Sequence, residues 1–170
     1  MKIPRTAIGL ALAMAGGIVA EEEAQAILKE SGVTGGLVVH VGCGDGKLTV
    51  ALRANASLVV HRLDAEVSRT RETIRAAGLH GPVSAERWEG GALPYPDNLV
   101  RLVVVSAGHE ARVSEKEMLR VLCPGGVAMA GGKKLVKPWP DGMDEWPQHY
   151  HGADNNAVAR DILVGPPRHY

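Results

Sequence analysis

Phenylalanine is absent from this 170-residue chain, and aromatic residues of all kinds make up 4% of it. The core must therefore be built from Val, Leu, Ile, Ala and Met. Charge of neither sign is in excess: Lys plus Arg and Asp plus Glu number 19 each. That balance excludes the electrostatic footprint of a nucleic-acid binder or of a protein held on acidic lipid. No apolar run reaches the roughly 20 residues that a membrane span needs, and Thr6 to Ala20 comes nearest. With 45% hydrophobic and 22% charged residues the composition is that of a globular protein. The length supports one domain with a proper core, or one domain plus appendages.

What is present is organised around Val38-Val39-His40-Val41-Gly42-Cys43-Gly44-Asp45-Gly46. Leu37 to Val41 is a short β-branched run of the kind found in strands buried on both faces. Gly42, Gly44 and Gly46 follow at alternating positions, and Lys47 to Leu52 reads as the start of a helix. Strand, glycine turn and helix make a nucleotide site, because glycine lets a ligand reach the backbone and helix-terminal N–H groups attract polar groups. The same pattern also serves as a plain tight turn. A dinucleotide fingerprint, G-x-G-x-x-G, is excluded because Lys47 stands at its last glycine.

Met1 to Ala20 reads as an export signal. Lys2 and Arg5 give a positive start, an uncharged stretch follows, and Glu21-Glu22-Glu23 ends it abruptly. The other reading is an N-terminal helix packed on the domain, but the stretch lacks the polar face such a helix shows.

The next expected element is a short helix over Glu21 to Glu30, with Ala24, Ile27 and Leu28 inward and Gly32 as its stop. After the glycine turn, Leu48, Ala51 and Leu52 form a buried stripe. Ser57 to Leu63 is the second strand and ends on Asp64, and Glu66 to Ala77 is a helix with Val67, Thr70, Ile74 and Ala77 inward. Asp64 suits two roles that do not exclude each other: a helix N-cap, and an acceptor for two ribose hydroxyls at the end of the second strand. Val83 to Trp88 is the third strand, Glu89 to Asn98 a loop, and Leu99 to Ser106 the fourth strand. Ser114 to Glu117 is a capping box opening a helix that buries Met118, Val121 and Leu122. Pro124 to Gly126 is a turn and Val127 to Ala130 the fifth strand. Strands alternating with helices predict a doubly wound parallel sheet.

Over Gly36 to Ala130 the chain resembles the small-molecule type of class I methyltransferases that use S-adenosylmethionine. Four stretches carry the resemblance in the family's order: Val38 to Gly46, Asp64, A-L-P-Y-P-D-N at Ala92 to Asn98, and E-M-L-R-V-L-C-P-G-G at Glu117 to Gly126. The resemblance implies a Rossmann-like α/β sheet of order 3-2-1-4-5. It implies an S-adenosylmethionine site at His40, Gly42, Cys43, Gly44, Gly46, Asp64, Glu89, Gly90 and Ser106. Glu89 falls where the family has an acid near the adenine, and Ser106 to Glu110 fall where it faces the methyl group. His109 could take a proton, but a lone loop histidine is more often only a solvated side chain, and no residue is assigned as catalytic. The chain departs from the family in three places. His40 replaces the acid that helps hold the methionine end, Val100-Arg101 replaces the common F-D, and the two usual final strands are missing, which truncates the sheet after the fifth.

Residues 138–170 have no helical or strand period and carry Trp139, Trp146, Tyr150 and Tyr170. From Asp144 onward they resemble the lead-in to secreted β-propellers of the pyrroloquinoline-quinone type. That implies an exported parent protein, with residues 1–20 a signal, 21–137 the methyltransferase-like domain and 138–170 a linker or the start of a further domain. His149 and His151 lack a Cys or carboxylate partner at metal spacing, so no metal is expected. Cys43 and Cys123 fall at opposite ends of a parallel sheet, so no disulfide is expected either. The expected function is methyl transfer to an acceptor the sequence does not identify. The alternative is a catalytically inactive scaffold or recognition module.

Overall fold

The computed structural model describes residues 5–42, 44–144, 158 and 162, and the chain divides into two compact units, Met1–Lys137 and Pro138–Tyr170. The first unit is built on a sheet of β1 (Gly36–Val41), β2 (Leu58–Asp64), β3 (Val83–Arg87), β4 (Val100–Val105), β5 (Leu122–Ala130) and β6 (Lys133–Val136). Their order is β3-β2-β1-β4-β5-β6. The first five run parallel, and β6 runs antiparallel to β5. This is the doubly wound arrangement that the alternation of strands and helices predicts.

The sheet does not stop at the fifth strand. Gly131 and Gly132 take positive φ values of 55° and 72°, which only glycine adopts readily. They fold the chain back so that Ala130 faces Lys133 and Val127 faces Val136. A two-residue glycine connection of this kind makes a hairpin, and Lys133–Val136 is too short and too polar to announce itself by period.

Side chains alternate across each strand, so the sheet has two apolar faces. Val38, Val60, Leu102 and Val104 pack with Ala24 of α1 (Arg5–Ser31), Leu52 at the end of α2 (Lys47–Ala51), and Ile74 of α3 (Ser68–Ala76). Val39, Val41, Leu63, Val103 and Val105 pack with Met118 and Val121 of α4 (Glu115–Val121), and with Trp88 and Leu93 of the loop before β4.

The helix expected at Glu21 to Glu30 is the last part of a longer one. α1 runs unbroken from Arg5 across the Ala20–Glu21 edge, and Gly32, with φ 72°, ends it. Ala77, expected inward, is exposed at the end of α3. Leu122 is buried as expected, but it caps α4 and opens β5 at once, and Pro124 to Gly126 lie within β5 as an irregularity, Val100 pairing with Leu122 but Leu102 with Val127. Among the described residues no helix is long and apolar enough to cross a membrane.

Two of the motifs serve to build this scaffold. Ser114 Oγ accepts from the Glu117 amide at 3.2 Å and so caps the N-terminus of α4, one half of a capping box, while the Glu117 carboxylate is engaged by Leu93 and Arg120. Arg120 then reaches back to the loop. It donates to the Leu93 carbonyl at 3.1 Å, the Tyr95 carbonyl at 2.9 Å and Asp97 Oδ1 at 2.6 Å, while Glu117 accepts from the Leu93 amide at 2.7 Å. The loop motif and the E-x-x-R motif are thus two halves of one clamp.

Candidate functional site

The parallel strands deliver their C-terminal ends to one edge, where ligands of open α/β sheets bind. β1 is central there, with Val41 paired to Leu63 of β2 and to Val105 of β4. The Gly42 amide donates to the Leu63 carbonyl at 3.2 Å, and the Ser106 amide donates to the Val41 carbonyl at 2.8 Å.

The glycines of the turn differ in what demands them. A Cβ on Gly42 would lie 2.3 Å from Ser106 Oγ, so this glycine makes room for Ser106. A Cβ on Gly46 would lie 3.0 Å from the backbone of Thr70, so this one lets α3 approach the start of α2. Gly44 is different. It has φ 121° and nothing within 4 Å of where a Cβ would stand, so its backbone borders open space. Cys43 lies outside the described residues.

Beneath the turn runs a buried polar chain that the sequence did not announce. Arg62, 1% exposed, donates to Thr49 Oγ1 at 3.1 Å, to the Gly42 carbonyl at 2.8 Å and to Asp64 Oδ2 at 2.9 Å. Thr49 Oγ1 lies 2.9 Å from His40 Nδ1, and His40 Nε2 lies 2.8 Å from Ser106 Oγ. His40 and Arg62 are register partners on adjacent strands. Burial first, then the Arg62 and His109 charges, pull the His40 pKa from 6.5 to about 3, so the ring is neutral at physiological pH.

Asp64 is buried, and it is no N-cap: Val67 holds that position on α3, without a side-chain bond. Its second oxygen faces Arg112 Nη1 at 3.6 Å. The Arg112 carbonyl accepts from the Gly91 amide at 3.0 Å, so the segment after β4 closes against the loop at residues 89–91 above Asp64. Gly90 sits in this contact, with the Arg112 carbonyl 3.4 Å from where its Cβ would stand. Glu89 is exposed and pairs with Arg87 at 3.0 Å.

Ser106 also lines a cavity of about 270 Å³. Ile27, Leu48, Val104 and Met129 give it apolar walls, while Glu23 and Lys133 bring the charges that border it. His109 is half-buried and turns its Nδ1 to the Ala107 carbonyl at 3.2 Å. The structure therefore brings His40, Gly42, Gly44, Gly46, Asp64 and Ser106 to one edge. Arg62, Thr49 and Arg112 are the site neighbours that sequence reasoning missed. Arg62 carried a signal, a full charge between the apolar Val60 and Leu63 of its strand. Its partners, distant in sequence, carried none. Trp146, His149, Tyr150 and His151 lie outside the described residues.

The fold is that of the class I methyltransferases. In sequence the chain is similar to the ubiquinone/menaquinone biosynthesis C-methyltransferase UbiE of Yersinia pestis, 35% identical over 98 residues, which is 54% of this chain and 39% of that one. The chain thus spans well under half the length of this curated relative. Among solved structures it is similar to the geranyl diphosphate C-methyltransferase of Streptomyces coelicolor, in complex with Mg2+, geranyl diphosphate and S-adenosyl-L-homocysteine. The TM-score is 0.56, with 16% identity, covering 63% of this chain and 43% of that one. It is equally similar to the [4+2]-cyclase SpnF, with a TM-score of 0.56 and 24% identity over 64% of this chain and 43% of that one. No family model matches the chain.

Proposed function

We propose that the first unit binds S-adenosylmethionine and passes its methyl group to a small acceptor seated in the cavity at Ser106. The observation that carries this reading is the placing of Gly44. Its backbone borders open space at the end of the central strand, on the edge that also holds Asp64 and the cavity wall. Gly42, Gly44 and Gly46 would hold the methionine and ribose side of the cofactor, with Asp64 accepting ribose hydroxyls once Arg112 moves aside. Glu89 and Gly90 would meet the adenine. The cofactor supplies a methyl group already activated on sulfur, so the chain has only to align the acceptor and keep water out. The apolar cavity walls suit that task. Calorimetry with S-adenosylmethionine and S-adenosylhomocysteine on the full chain tests the reading, which expects saturable one-to-one binding and fails without it.

A second reading is an inactive scaffold or recognition module, and two observations favour it. Asp64 is already engaged by Arg62 and faced by Arg112, and a neutral His40 stands where the family has an acid. Fold alone does not decide, since a cyclase shares it. Export belongs to the same proposal, resting on Lys2, Arg5 and the acidic edge at Glu21, with a β-propeller following in a longer parent. Removal of residues 1–20 would leave Ala24, Ile27 and Leu28 of α1 on the sheet.

A further inference from the structure

We propose that Ser106 is the hydrogen-bond donor that seats an uncharged, oxygen-bearing acceptor in the cavity, and that His40 is the positioning residue that aims it. The proposal rests on the cavity being the acceptor site, and it begins with a count of protons. Arg62 can only donate, so Thr49 Oγ1 spends one lone pair on Arg62 Nη1. Thr49 is fully buried, and its own hydroxyl proton needs an acceptor. Among the described residues the only other group recorded within hydrogen-bond distance of Thr49 Oγ1 is His40 Nδ1, at 2.9 Å. If Nδ1 carried the proton, the buried Thr49 hydroxyl would be stranded. Nδ1 therefore accepts, the proton sits on Nε2, and Nε2–H donates to Ser106 Oγ.

That assignment fixes the last link. With its oxygen held by His40, Ser106 turns its hydroxyl proton away from the ring. Ser106 lines the cavity together with the apolar Ile27, Leu48, Val104 and Met129, and the charged Glu23 and Lys133 border it. Apolar walls with a neutral hydroxyl donor between them, and the Glu23 and Lys133 charges on the border, select a ligand that is mostly hydrocarbon and sets one carbonyl or ether oxygen against Ser106. The four-group chain also explains Gly42, whose missing side chain leaves room for Ser106 to meet the imidazole.

The test uses the full chain and two probes of similar shape, acetophenone, which has a carbonyl, and ethylbenzene, which lacks one. S106A is expected to weaken acetophenone about three- to tenfold, the worth of one neutral hydrogen bond, and to leave ethylbenzene unchanged. H40Q keeps an N–H donor near the Nε2 position and should retain acetophenone binding, while H40L should lose it as S106A does. Equal acetophenone affinity in wild type and S106A overturns the proposal. Long-range 1H–15N spectra of the wild-type imidazole give a readout that does not depend on any variant folding: an Nε2–H tautomer is expected, and an Nδ1–H tautomer overturns the proposal. S106A-sensitive acetophenone binding in a chain that binds no adenosyl ligand would keep Ser106 as the donor that seats an oxygen-bearing ligand, but would remove the methyltransferase reading and with it the ligand's role as methyl acceptor.

Discussion

Arg62 Nη2 lies 2.9 Å from Asp64 Oδ2, two residues along the same strand and on the same face, with both side chains buried. A buried pair of this kind is far costlier to break than to have been omitted, because the survivor is a charge without water or partner. Asp64→Ala should therefore destabilise the domain by about 3–5 kcal/mol, against about 1 kcal/mol had Asp64 been a mere N-cap. Urea denaturation of the two chains measures the difference.

Arg112 is the looser of the two guanidinium neighbours, at 3.6 Å and about a third exposed. Its Nη1 is buried without a hydrogen bond, while Asp64 keeps its bond to Arg62. Arg112→Ala should therefore cost less stability than loss of Arg62, and should tighten S-adenosylhomocysteine binding by about two- to fivefold, because it uncovers Asp64 Oδ1. A weaker affinity in isothermal titration would mean that Arg112 contacts the ligand instead of shielding the acid.

His40 sets a pH dependence whose sign is definite. Its folded pKa, about 3, lies below the ordinary value of 6.5. Between those values the unfolded chain binds the proton and the folded one does not, so stability falls as pH falls through this window. The slope is about 1.4 kcal/mol per pH unit well inside it. His61, also held below its ordinary value by burial, acts in the same direction. Chemical denaturation from pH 7 to 4.5 should show the loss, and His40→Gln should flatten most of it.

Gly42 and Ser106 should couple. Gly42→Ala places a methyl group within contact of Ser106 Oγ and Cβ, an overpacking expected to cost about 1–3 kcal/mol. Ser106→Gly removes the obstacle, so the double variant should recover much of that loss. Additive effects in a denaturation cycle would contradict the packing account.

Much of the architecture was legible because apolar runs such as Leu37 to Val41 and Leu102 to Val105 are long enough to declare strands buried on both faces. The capping box at Ser114 declared its helix just as directly. The hairpin to β6 was not legible, because four residues with two lysines have no strand period and the two glycines before them read equally well as a linker. The glycine turn and Asp64 could be read locally. What surrounds Asp64 could not, since Arg62, Thr49 and Arg112 meet there only through strand register and the return of the chain after β4.

In the proposed function an adenosyl ligand lies against the turn at Gly44. Gly44→Val adds a side chain where the structure leaves open space, at a φ that costs about 1–3 kcal/mol for a non-glycine residue. Calorimetric titration of S-adenosylhomocysteine into wild type and Gly44→Val, each first shown by circular dichroism to be folded, is the direct measurement. Saturable binding to wild type is expected, with at least a hundredfold weaker binding, about 2.7 kcal/mol, to the variant. Equal binding by both, or none by wild type at millimolar ligand, would contradict the proposed function.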